Sequence, residues 1–487
     1  MLVEPEPTTL VALTNCADPT MLVSAKVTEG LLSYDFELRP RPQLATGWSV
    51  SADGLRLIFT LRQGVRWHDG SAFTSADVAF SMKLLKEMHP RGRATFAALA
   101  DVETPDPHTA ILVLSQPAPF LLSALAACES PIMPRHIDPI ANGNAPIGTG
   151  PFRFKEWVRG SHIAYERNTD YWDSPKPFID TFVVTFVEDA DARIAALESG
   201  AIDLAPATPV PFDRLPYLRG LPNIAFETDG YQYTNQVVRL EFNLDDPTFR
   251  DRRVRQAIAH AIDRQALIDK AWFGYGLPAF GPISPDLPSF CLSDLGTPAF
   301  DPAAAEHLLD AAGLPRGPDG IRLRLPMDYV PAGDGYKLTA DEVAVALARI
   351  GIAATVRVQD FPAYIRRVYT DRDFHFSIGR MNNMFDPTVG VQRVFWSKNI
   401  KRGVPFSNGA HYRNDTVDRL LEQAAVEPDP VERHRLFAQF QRTVVGDLPD
   451  VTLLAPKQIT IANRRVIDHT LTADGPAANL ADVRRRA

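Results

Sequence analysis

The sequence predicts a mixed α/β chain whose lobes are assembled from non-contiguous pieces, and three observations carry that reading. Apolar stretches with strand character occur early, at 55–61 and 109–114, and return near the end, at 451–462. Between them lie segments with apolar residues at helical spacing, such as Val254, Ile258, Ala261, Ile262 and Ile268. The 41 prolines are spread along the chain, which fits many short elements joined by defined turns and argues against a flexible tether. Strands at both ends of a mixed chain imply lobes that share the two termini.

Taken in order, residues 8–14 read as a first strand and Gly54–Leu61 as a strand with one buried face. Asp69-Gly70 marks a turn. Thr74 caps a helix whose third residue on, Asp77, bonds back to the cap, and Val78, Met82 and Leu85 share its apolar face. The strand at 109–114 ends at Ser115-Gln116-Pro117, and Gly148-Thr149-Gly150-Pro151 turns into a strand at Phe152. A strand around Leu240–Asn243 gives way to a helix. Further helices are predicted at 302–312, 336–350 and 414–444, and strands at 321–327, 353–359, 374–379 and 451–462.

Composition narrows function. The 487 residues carry 51 Lys plus Arg against 59 Asp plus Glu, a net charge of −8, and an acidic surface repels phosphate backbones, so nucleic acid is excluded as a general partner. The closing Arg484-Arg485-Arg486 reads as a solvated tail. No apolar run reaches the length of a membrane helix, and the first residues lack the pattern of a secretory signal. Cys16, Cys128 and Cys291 are odd in number and widely spaced; one disulfide is possible, with at least one thiol left over, and three small buried side chains is the plainer reading. No CxxC, HExxH, GxSxG or complete phosphate loop is present. His68 reads as a surface turn residue and His260 as a satisfied core histidine. No catalytic residue, metal ligand or cofactor is assigned.

Four blocks carry a resemblance. They are Glu29-Gly30-Leu31-Leu32-Ser33-Tyr34-Asp35; the run from Leu44-Ala45-Thr46-Gly47-Trp48 through Val65-Arg66-Trp67-His68-Asp69-Gly70 to Phe73-Thr74-Ser75-Ala76-Asp77-Val78; Gly148-Thr149-Gly150-Pro151-Phe152 with Glu166-Arg167-Asn168 and Tyr171-Trp172; and Phe249-Arg250-Asp251 with Val254-Arg255-Gln256-Ala257-Ile258 and Ala261-Ile262-Asp263-Arg264. In this order and spacing the chain resembles the family 5 extracellular solute-binding proteins of ABC importers, which include dipeptide, oligopeptide and nickel receptors. The resemblance implies a periplasmic-binding-protein-like, two-lobed α/β fold. Domain I combines 1–33, 148–236 and 450–487, domain II is an insertion at 34–147, and domain III spans 237–449. Strands crossing near 232–242 and 448–456 form the hinge. It also implies a monomer in the periplasm whose signal peptide is absent from this chain. The protein binds a small molecule in the interlobe cleft and hands it to the permease subunits at the membrane, without chemistry.

The family's ligand-facing loop maps onto Ser377–Pro387. Where the resembled peptide receptors carry an acidic residue for the peptide's amino group, this chain has Asn383, and the loop Met327–Ala332 lacks their arginine for the carboxylate. A neutral amide cannot make the charge-assisted bond an ammonium requires in a dry cleft. The candidate ligand residues implied by the resemblance are Asn15, Cys16, Arg93, Phe96, Phe361, Arg380, Met381, Asn382, Asn383, Phe385 and Asp386. Asn382 and Asn383 are read as able both to donate and to accept. Arg93 and Arg380 suit an anionic group, with solvated surface charge as their plainer role; Phe96 and Phe361 have core packing as theirs, and Asp386 has helix capping. The ligand expected is a small polar non-peptide, a modified amino acid, a sugar conjugate or an opine-like acid. Alternatives are a dipeptide, oligopeptide or nickel chelate, and, from another class, a hydrolase using the cleft.

Overall fold

The computed structural model describes residues 1–126 and 129–486; Cys128 lies outside them. The chain divides into two compact units, Met1–Tyr233 with Gln458–Ala487, and Thr234–Lys457. The backbone thus passes from one unit to the other after Tyr233 and again after Lys457.

In the first unit a four-stranded antiparallel sheet runs in the order Ala45–Val50, Arg56–Leu61, Thr109–Leu114, Leu99–Asp106. Leu57, Phe59 and Leu61 alternate into the core, as the period of two requires. The helix Ser75–Met88 packs on this sheet through Val78, Met82 and Leu85. Its start is held as predicted, the Asp77 carboxylate accepting from the Thr74 N–H at 2.8 Å. Two three-stranded sheets and two two-stranded ladders accompany it. In one of the three-stranded sheets the returning strand Thr460–Asn463 lies between Leu204–Ala205 and Ile224–Glu227.

Distant sequence blocks meet at one buried carboxylate. Glu29 accepts from the Thr149 hydroxyl (2.9 Å), the Tyr171 hydroxyl (2.7 Å) and the Trp172 indole N–H (2.8 Å). Burial raises its pKa above the usual carboxylate value, and these donors pull it back.

Residues 8–14 do not form the expected strand. Leu10, Val11, Ala12 and Leu13 are buried in succession, and their backbone bonds go to Gly143 and the Ser24 hydroxyl instead of a ladder. The closing arginines are not a loose tail either: Arg484–Arg485 pairs with Val466–Ile467.

The second unit is built on a six-stranded mixed sheet, ordered Gly276–Pro278, Asp450–Pro456, Gln236–Phe242, Phe376–Asn382, Leu323–Tyr329, Ile352–Val356. Strand Asp450–Pro456, expected in domain I, belongs here because it is ladder-bonded to Gln236–Phe242 on one side and Gly276–Pro278 on the other. The predicted strand 451–462 is therefore two strands in different units, and the predicted helix 414–444 is two helices, Asp415–Val426 and Pro430–Asp447. Pro430 supplies no helical N–H and starts the second helix instead of continuing the first. Inside the sheet Arg239 bridges Glu241 (2.9 Å) and Asp450 (2.7 Å), all three buried. Glu241 stands opposite Asp450 in the register, so without the guanidinium two carboxylates would repel each other across the ladder.

Candidate ligand-binding residues

The second unit gathers most of the predicted residues at one end of two paired strands. Gln236–Phe242 and Phe376–Asn382 run antiparallel with Gln236 opposite Asn382, Val237 opposite Met381 and Val238 opposite Arg380. The alternation that buries Met381 leaves Arg380 and Asn382 half-exposed. Asn382 is tied sideways, its Oδ1 accepting from Gln236 Nε2 at 3.0 Å, and Gln236 Oε1 in turn accepts from the Tyr336 hydroxyl.

Beyond the strand the chain turns through Met384, which has φ of 58°. The turn is anchored by Asn383 N–H to Asn235 O (3.3 Å), Met384 N–H to Thr234 O (3.1 Å) and Asn235 Nδ2 to Met384 O (2.8 Å). Asn383 is fully buried, and its Oδ1 accepts from the Ser284 backbone N–H at 2.7 Å. A backbone N–H only donates, so the amide must turn its oxygen toward Ser284. What remains of Asn383 is Nδ2, a donor, buried and without a partner among the described residues; Asn235 Oδ1, an acceptor, is in the same position. The expectation that Asn383 both donates and accepts narrows to donation alone.

Asp386 performs the capping role. Its carboxylate accepts from Thr388 N–H at 2.8 Å and meets Arg433 in a two-pronged ion pair of 2.8 and 2.6 Å, with both side chains buried. Arg433 is also covered by the rings of Phe290 and Phe437. Phe385 is buried, whereas Phe361 is 41% exposed and lies 6.3 Å from the Phe406 ring.

The remaining candidates belong to the first unit. Asn15 bonds Thr8 through Nδ2 and accepts from Ala17 N–H, each at 2.8 Å, forming its own turn. Cys16 Sγ accepts from Arg91 Nη1 at 3.2 Å, and Arg91 is held by Glu129. Beside them His89 is buried, which pushes its pKa down to about 4, so the ring is neutral near pH 7. Arg93 is exposed, while Phe96 is only 2% exposed and packs as core. Of the two neighbouring arginines, the one that reaches Cys16 is Arg91.

Sequence reading did not find Ser284, Asn235, Gln236 or Tyr336. Asn235 and Gln236 fall within the crossing strand expected near 232–242 but carried no sign of a role of their own; Ser284, in a proline-rich loop, carried none either. Of the two histidines set aside in the sequence, His260 is not the core residue expected: its Nδ1 donates to Ala299 O (2.7 Å) on a partly exposed helix face. His68 is not the surface residue expected: its Nε2 donates to Gly150 O at 2.9 Å and burial pushes its pKa down to about 4. Among the described residues no three His, Cys, Asp or Glu side chains are grouped to hold a metal ion, and no helix is long and apolar enough to cross a membrane.

A family model described as bacterial extracellular solute-binding proteins, family 5 Middle, matches residues 39–403. Protein XP55 of Streptomyces lividans is 31% identical over 88% of this chain and 79% of its own length. The glutathione-binding protein GsiB of Salmonella typhi is 27% identical over 92% and 86%. Among solved structures, the binding protein AgaA of A. tumefaciens R10 in complex with agropinic acid superposes with a TM-score of 0.80 at 26% identity, covering 100% of this chain and 98% of the other.

Proposed function

Because this chain belongs to the bacterial extracellular solute-binding proteins of family 5, transport receptors and not enzymes, we propose that it captures a small polar, non-peptide solute. We place opine-like acids and sugar or amino-acid conjugates first among its ligands. It acts outside the cytoplasm, in the periplasm. Two lobes, made of domains I and II and of domain III, flex about the crossing strands and close on the guest, and the closed form is what the permease reads. Closure follows only if the guest's contacts favour the closed state.

The observation that supports this ligand class is the bond from Ser284 N–H to Asn383 Oδ1 (2.7 Å), which leaves a neutral donor at that position. With the neighbouring acceptor Asn235 Oδ1, the half-site suits a hydroxyl, carboxamide or carboxylic acid. An ammonium carries three donors and no acceptor and leaves Nδ2 unmatched. Asn382 and the exposed ring of Phe361 supply further polar and apolar contact, and Arg380 offers charge to an anionic end; Met381, Phe385 and Asp386 support the loop from beneath. Asn15, Cys16 and Arg93 are the first lobe's candidates. The similarity to AgaA, solved with agropinic acid, points the same way.

The relative named as glutathione-binding favours a second reading, a small peptide-like guest. Native mass spectrometry of the freshly purified protein separates the two. A co-purified opine or sugar conjugate of unchanged mass supports the first reading, and a bound peptide or glutathione overturns it in favour of the second.

A further inference from the structure

Five arginines converge on one small antiparallel ladder of the first unit. Val466–Ile467 pairs with Arg484–Arg485, and the Arg486 N–H extends the ladder by donating to Arg465 O at 2.7 Å. This sets Arg486 beside Arg464 and Arg465. Arg465 is neutralised, with Nε 2.6 Å from Asp203 Oδ1 and Nη2 donating to Gly200 O. Arg464, Arg484, Arg485 and Arg486 are exposed, and among the described residues no carboxylate forms an ion pair with them. The Arg484 guanidinium lies 4.0 Å from the centre of the Phe178 ring, which fixes that end of the ladder. The carboxylates nearest in sequence are Asp468 and Asp482, and Asp482 is already paired with Lys176 at 2.9 Å.

Several exposed arginines elsewhere pair with a carboxylate, as Arg39, Arg253, Arg316 and Arg435 do, and the chain as a whole is negative. Four unpaired guanidiniums on a backbone-bonded ribbon therefore oppose the molecule's overall sign and repel one another until an anionic surface covers them. The guanidinium fork matches phosphate oxygens two at a time. A protein partner would want an apolar centre to the contact; here the nearest exposed apolar side chain in sequence is Leu471, 52% exposed, four residues past the strand. We infer that this arginine ladder is a docking surface for anionic phospholipid headgroups, holding the receptor loosely at the membrane face independently of its ligand. Each such residue adds about fivefold to partitioning onto an anionic bilayer, so the four together add several-hundred-fold, in a manner that salt screens.

The test is co-sedimentation of the full chain with phosphatidylcholine vesicles, with and without phosphatidylglycerol, at low and high salt. The ladder predicts binding only to the phosphatidylglycerol vesicles, weakened by salt and reduced at least a hundred-fold in the variant with Arg464, Arg484, Arg485 and Arg486 all changed to Ser. If that variant fails to fold, Arg485→Glu and Arg486→Glu read the same surface singly, each lowering partition about 25-fold. Equal binding to both vesicle types, binding that ignores these substitutions, or salt-sensitive self-association without vesicles overturns the inference. None of these outcomes bears on which solute the receptor carries.

Discussion

The backbone N–H of Ser284 lies 2.7 Å from Oδ1 of Asn383, 99 residues further along the chain. This one bond decides the polarity of a buried position, because it fixes which end of the amide is left without a partner among the described residues.

Asn383→Asp tests that polarity. The new carboxylate keeps one oxygen on Ser284 and offers the other as a charged acceptor where Nδ2 stood. The ligand-free variant is expected to lose at least about 1–3 kcal/mol of stability, the cost of an unmatched buried polar group. In exchange it gains heat of binding with a dipeptide such as Met-Leu, where the unsubstituted protein gives little. Denaturant melts and titration calorimetry read the two effects separately.

Asp386 and Arg433 form a buried, two-pronged pair that starts one helix and ties it to another. Removing one partner strands a buried charge, so Asp386→Ala or Arg433→Met alone is expected to cost about 3–5 kcal/mol. Removing both together is expected to cost clearly less than the sum. A double-mutant cycle from urea melts measures the difference, and simple additivity speaks against the pair.

Only a glycine fits at position 390. A Cβ there would lie 2.3 Å from the carbonyl of Asn383, backbone against backbone, with no side chain to yield. Gly390→Ala is therefore expected to lower stability by about 1–3 kcal/mol and to weaken solute binding by displacing Asn383. Retained affinity at reduced stability would show that the turn does not shape the site.

Much of the fold was legible because local patterns and their burial agree. The alternation at 55–61, the Thr74–Asp77 cap and the helices near 302 and 336 appear where the residues predict them. The single helix expected from Val254 to Ile268 is instead two, Arg252–Ala261 and Arg264–Ala271, the second capped by Asp263. Residues 8–14 misled because four successive apolar side chains are buried without a ladder, which pattern alone cannot tell from a strand. The run at 451–462 hid a change of unit between Pro456 and Thr460, since both strands are apolar and buried on every side. At the site, the strand end at Arg380–Asn382 was readable, but the partners that set its chemistry come from far away: Ser284 for Asn383, and Arg433 for Asp386. No spacing rule links such pairs, so the amide's remaining polarity was out of reach from sequence.

Lys26 makes stability depend on pH. Its ammonium is buried and donates to Pro476 O (2.8 Å) and Ala478 O (2.5 Å), and burial lowers its pKa from 10.5 to about 7. Below pH 7 the amine is charged in both folded and unfolded chains and contributes no slope. Between about 7 and 10.5 the folded amine is neutral while the unfolded one still binds a proton, so unfolding takes up a proton and stability rises with pH. The expected contribution is up to about 1.4 kcal/mol per pH unit. Comparing denaturant midpoints of the protein and Lys26→Met across that range isolates it; equal slopes would contradict it.

The proposed receptor encloses a small non-ammonium solute and releases it unaltered. Titration calorimetry of the ligand-free chain against opines, sugar–amino-acid conjugates and dipeptides, with each solute recovered and weighed by mass spectrometry, tests this most directly. The expected result is one-to-one binding near micromolar affinity, about −8 kcal/mol, for a member of the first two groups, with its mass unchanged. Tight binding of ordinary dipeptides alone, or recovery of any solute as a converted product, would contradict it.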